Sequence, residues 1–65
     1  MTTQTINPAM VINGTMYVVI EVGMNGTVEM KELVGPNGGK FFLMTYRSGR
    51  RELLSRNMRT VWSSK

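Results

Sequence analysis

The stretch Met16–Val34, MYVVIEVGMNGTVEMKELV, reads as two β-strands joined by a tight turn. Its first part, Met16 to Val22, is β-branched and aromatic, a composition that suits a pleated, half-buried surface. Side chains alternate along a strand, so Val18, Ile20 and Val22 share one face and Tyr17, Val19 and Glu21 the other. Asn25-Gly26 follows, and Asn-Gly favours a type I′ turn because both central residues take positive φ. Thr27 to Lys31 then alternates, with Val28 and Met30 expected inward and Thr27, Glu29 and Lys31 outward. Leu33 and Val34 break that parity, which predicts a bulge near Glu32.

Working outward, turn signals recur at Asn13-Gly14, Asn37-Gly38 and, more weakly, Ser48-Gly49. Gly35-Pro36-Asn37-Gly38-Gly39 is a loop, since proline removes a ladder donor and glycine admits unusual dihedrals. The strand Lys40–Arg47 is apolar on both faces, which predicts a central strand covered on two sides. Ser48-Gly49 turns the chain into a strand from Arg50 to Leu54. Ser55-Arg56-Asn57-Met58 predicts one short helical turn with Ser55 as its cap. A last strand runs from Arg59 to Ser63. No longer segment repeats apolar residues at helical spacing. The expected fold is all-β, a small barrel of about five short antiparallel strands. It would occupy residues 13–63, with residues 1–12 as a tail or short edge strand. Closure is expected because it removes exposed edges.

This order of elements resembles the SH3-like small barrels, including the KOW and Tudor groups. The likeness lies in the paired strands from Met16 to Val34 and in Phe41–Arg47 with its Ser48-Gly49 turn. It continues through Leu53-Leu54, the single turn at Ser55–Met58 and the strand Thr60-Val61-Trp62, covering residues 13–63. The resemblance implies a binding scaffold, often for nucleic acid or another protein, and rarely an enzyme. Tudor modules that read methylated side chains have an aromatic cage with acidic residues. Here Tyr17, Tyr46 and Trp62 occur without any aspartate.

Composition bounds the chemistry. A chain of 65 residues buries too little surface to be more than marginally stable alone. There is no Cys and no His, so neither a disulfide nor a zinc site reinforces it, and self-association becomes an expectation. The four glutamates are dispersed and the serines have no base nearby. No thiolate or imidazole is present to attack or exchange protons. No enzyme, metal or cofactor is expected. Lys40 is followed by Phe41 and a strand, not by the Ser/Thr and helix of a phosphate-cradling loop. The seven methionines are scattered and read as gap-fillers of a small core. The polar start Met1–Thr5 is unlike a signal peptide, and the longest apolar run, Met16–Ile20, is far too short to span a membrane. A cytoplasmic protein is expected.

The net charge of +4 is divided unequally. Residues 1–39 hold Lys31 against Glu21, Glu29 and Glu32, whereas residues 40–65 hold two lysines and all five arginines against Glu52 alone. Arginine grips phosphate or carboxylate with a planar, permanently charged fork. Arg47, Arg50, Arg51, Arg56 and Arg59, with Lys40, are therefore the candidate ligand-binding cations, and Tyr46 and Trp62 candidate stacking surfaces. Two clusters are expected: Arg47/Arg50 at a loop tip and Arg56/Arg59 beside the closing strand. Alternatively Arg51 with Glu52, or Arg59 with Glu29, form ordinary surface pairs. The leading partner is nucleic acid, DNA or RNA. The alternatives are an acidic protein surface, as for a small phage-type inhibitor or adaptor, and a homo-oligomer that sequesters a phosphorylated small ligand.

Overall fold

The computed structural model describes residues 8–64. They form β1 (Ala9–Ile12), β2 (Thr15–Asn25), β3 (Val28–Val34), β4 (Lys40–Thr45), β5 (Arg51–Ser55) and β6 (Thr60–Ser63). The strands lie in one antiparallel sheet in chain order. This is an up-and-down meander that curls into a half-barrel. Residues 1–7 of the expected N-terminal segment lie outside the described residues, while Ala9–Ile12 pairs with β2.

Two expectations are corrected. Residues 13–63 hold the five expected strands, β2 to β6, and Ala9–Ile12 is the short edge strand, but β1 and β6 remain unpaired on their outer sides, so the expected closure is not reached among the described residues. The radius of gyration of 12.4 Å exceeds the roughly 11 Å of a compact chain of this length, as an open sheet requires. No helical turn forms at residues 55–58. Ser55 ends β5, Met58 N–H donates to the Ser55 carbonyl at 2.8 Å, and Ser55 N–H donates to the Arg59 carbonyl at 2.7 Å. That is a hairpin loop.

The same loop occurs three times. Gly35/Gly39 and Tyr46/Arg50 repeat both hydrogen bonds of Ser55/Arg59. In each, the last loop residue takes positive φ: Gly38 at 81°, Gly49 at 94° and Met58 at 64°. A three-residue hairpin loop is a type I turn followed by a left-handed residue, a place suited to glycine. Asn13-Gly14 is the true type I′ turn, with φ of 51° and 82°. Asn25-Gly26 is displaced by one residue, because Asn25 still pairs with Val28 and the loop is Gly26-Thr27. Met58 alone of the three left-handed loop residues bears a Cβ, and it is 54 % exposed, with little packing to lose. Met58→Gly is therefore expected to stabilise the chain by about 1 kcal/mol, raising Tm by roughly 4–8 °C. Thermal unfolding checks this, and an unchanged or lower Tm would contradict the shared loop geometry.

Register determines what each face carries. Val19 pairs with Leu33, Leu43 with Lys31 and with Leu53, and Leu53 with Trp62. Directly opposed residues share a face, so these line the inner side of the curl with Ile12 and Tyr17. Leu33 and Leu43 are 0 % exposed, and complete burial of a leucine is worth about 1.5–3 kcal/mol. Tyr17 and Phe41 meet edge to face at 5.2 Å on the same side. The expected phase of β3 is reversed: Val28 and Met30 fall on the outer face with Glu32, and Leu33 takes the inner one. The bulge also sits on the other strand. Ile20 is the extra residue of β2, opposite Leu33 and Glu32. β4 is central, yet it is not covered on two sides: Leu43 on its inner side is fully buried, whereas Phe42 and Met44 on its outer side are half-buried.

Candidate functional site

A meander places alternate turns at opposite ends of the sheet. The β1–β2, β3–β4 and β5–β6 turns share one end, and the β2–β3 and β4–β5 turns the other. Arg56 and Arg59 therefore stand at the first end, near Lys40, and Arg47, Arg50 and Arg51 at the second. Five strand steps separate Arg51 from Arg56, roughly 17 Å along β5. The two expected clusters exist, and β5 connects them.

At the first end, the β3–β4 loop and the β5–β6 turn border an open groove of about 520 Å³. Gly38, Gly39, Lys40, Phe41, Ser55 and Arg56 line it. Lys40 Nζ leans to Glu32 at 3.1 Å. Arg56 is exposed. Arg59 is held at its backbone, where its N–H donates to Ser55 Oγ at 3.3 Å. Composition named Lys40 and Arg56, but not the glycines and Ser55, which enter only because the two loops lie side by side.

At the second end, Glu52 is the hub, a role absent from the sequence reading. Its Oε1 accepts from Tyr46 Oη at 2.8 Å and its Oε2 from Thr60 Oγ1 at 2.9 Å. Arg50 approaches Oε2 at 3.9 Å and stacks over the Tyr46 ring at 5.6 Å. A signal existed: a loop centred on Ser48 sets Met44 opposite Glu52, which makes Tyr46 its diagonal neighbour on the same face. Arg51 is half-buried, with its guanidinium 5.4 Å from the Trp62 ring centre. Its backbone N–H donates to Ser64 Oγ at 2.7 Å. Each expected stacking ring thus already carries an arginine on one face.

The surface pairs expected from sequence give way to others. Arg50, not Arg51, approaches Glu52, and Arg59 is remote from Glu29 because β3 and β6 are not neighbours. Glu29 is taken by Lys31 and Glu32 by Lys40. Among the described residues, Arg47, Arg51, Arg56 and Arg59 form no ion pair.

The hydrogen bonds from Tyr46 and Thr60 hold the Glu52 carboxyl below its ordinary value of 4.5, and Arg50 adds to this. The same bond to Glu52 raises the Tyr46 hydroxyl above 10.0. A lowered carboxyl contributes stability above its unfolded pKa, and that stability is lost as pH falls through the folded value. Glu52→Gln is expected to flatten the decline of Tm on acidification below about 4.5. Thermal unfolding of both proteins over that range checks it, and parallel curves would contradict it.

No helix among the described residues is long and apolar enough to cross a membrane, and no group of three or more metal-binding side chains gathers there. Comparisons with protein-family models, curated proteins and solved structures gave no match, so the functional reading rests on the geometry.

Proposed function

We propose that the chain is a non-enzymatic binding module whose β5–β6 side captures a polyanion, most readily the backbone of a nucleic acid. One observation carries the reading. The lysines of β3 and β4 consume glutamates, while four guanidinium groups at the two ends of β5 stay without a carboxylate among the described residues. Charges so placed cost nothing to expose and gain most from phosphate, which arginine binds bidentately. Their spacing suits an extended strand laid along β5–β6, from the Gly38–Arg56 groove toward Arg47. The curled sheet is compatible with the small SH3-like barrels, whose resemblance implies this kind of partner.

Counterion release supplies the test. With about four phosphates neutralised, log K falls with log salt at a slope near −3.6 on duplex DNA and about −2.8 on a single strand. Fluorescence anisotropy across a salt series measures it. Affinity no better than that of a scrambled basic peptide would remove the proposal. Recovery of an acidic protein, with no nucleic acid, in a pull-down would move the same arginines to that partner class.

A further inference from the structure

β2 is 11 residues long, but β1 pairs with only its first part. The last contact of that ladder runs from Val19 N–H to the Pro8 carbonyl at 2.9 Å. Beyond it, Glu21 to Asn25 pair with β3 on one side and have no strand on the other among the described residues. Asn25 and Val28 close a two-residue hairpin loop and so exchange hydrogen bonds. Alternation then turns the N–H and C=O groups of Val22 and Met24 toward the open side. Their side chains are 52 % and 66 % exposed. Neither proline nor lysine blunts this edge.

A piece of chain of the right length starts beside it. β1 is antiparallel to β2, so continuing it backward past Pro8 carries the chain along Glu21–Asn25. Seven residues precede Pro8, about 23 Å when extended, whereas the open edge spans about 17 Å. Asn7 precedes the proline, which steers it to extended dihedrals. Thr2, Thr3, Thr5 and Ile6 are β-branched, and residues 1–7 hold no charged side chain.

Face parity selects the register. Met10 and Pro8 stand opposite Tyr17 and Val19 of the inner face, so an extended chain brings Ile6 to that face as well. Ile20 is the extra residue of β2, which returns Val22 to the inner face opposite Lys31. Skipping Ile20 therefore sets Ile6 against Val22, both apolar and both inward. Without the skip, Ile6 would oppose the outward Glu21.

We propose that residues 3–7 extend β1 along the free edge of β2, pairing Ile6 with Val22 and Gln4 with Met24. The extension satisfies the outward backbone groups of both β2 residues and covers Val22. It also occupies an edge that would otherwise template pairing with another chain. The segment carries no cation, so this extension and the capture of a polyanion stand or fall separately.

Amide hydrogen exchange of the full chain, followed by NMR, tests this. The Val22 and Met24 amides are expected to exchange at least about tenfold more slowly than unpaired ones. A contact between the α-protons of Thr5 and Gly23 is expected too, since non-hydrogen-bonded pairs bring Cα atoms to about 4.5 Å. Ile6→Pro removes the N–H that reaches Val22 and should return Val22 and Met24 to fast exchange. Thr5→Pro loses an N–H that points away from the sheet, so their protection should remain. Gly23, whose N–H faces β3, and the buried Leu43 should stay protected in both variants, which verifies the fold. Fast exchange at Val22 and Met24 in the unsubstituted chain overturns the proposal. So does an equal loss in Thr5→Pro, or protection that grows with protein concentration, which would give the edge to a second copy.

Discussion

Leu43→Ala is expected to unfold most of the chain near physiological temperature. Leu43 is 0 % exposed at the middle of β4, between Lys31 and Leu53 in register. Buried Leu→Ala changes cost about 2–5 kcal/mol, because the removed methyl groups leave a cavity that the neighbours fill only partly. A domain of this length holds roughly 3–10 kcal/mol in total, so the loss is a large fraction of it. Each kcal/mol moves Tm by about 4–8 °C in so small a domain, and a fall of at least about 10 °C follows. Urea and thermal unfolding at protein concentrations too low for association measure it. Met44→Ala, one residue away on the half-buried outer side, is the comparison and should cost much less. If Met44→Ala proved the more damaging, the assignment of inner and outer faces would be reversed.

Replacing Arg47, Arg56 and Arg59 together by alanine is expected to lower affinity for nucleic acid by roughly 10²–10³-fold at about 0.1 M salt. Each phosphate contact contributes about 0.7 to 0.9 to the salt slope, so the slope should shrink by about 2–3. All three side chains are exposed and form no ion pair among the described residues, so the fold has little reason to change. Arg51 is left in place because it packs over Trp62. Lys31→Ala serves as the internal comparison, since Lys31 is paired with Glu29. It should move the slope much less than any single arginine. A slope unchanged by the triple substitution would sink the binding proposal, even if some affinity were lost.

The misread turn at Ser55–Met58 shows how far local sequence carries. The central residues of a type I turn have nearly helical dihedrals, and Ser55 caps a helix and opens a turn equally well. Within four residues the two are the same chemistry. What separates them is that Leu53 and Leu54 pair with Trp62 and Thr60, which returns the chain as a strand. The phase of β3 was ambiguous for a similar reason. Val28 and Met30 alternate correctly, but so do Lys31 and Leu33. Only the burial of Leu33 beside Val19 and Phe41 selects one set.

The candidate site divides along the same line. The cations were legible as residue types, because charge does not depend on fold. Their release from acidic partners was not, since it follows from Lys31 and Lys40 reaching the glutamates first. Glu52, Ser55 and the loop glycines entered only once strand register had set their neighbours.

Strands, turns and the absence of reactive groups belonged to the sequence by itself, because each depends on residue type and on neighbours a few positions away. The inner face, the bulge at Ile20, the open edges and the separation of the arginines to two ends were decided by the tertiary structure. These depend on pairing between distant segments, where a slip of one residue turns every side chain to the opposite face.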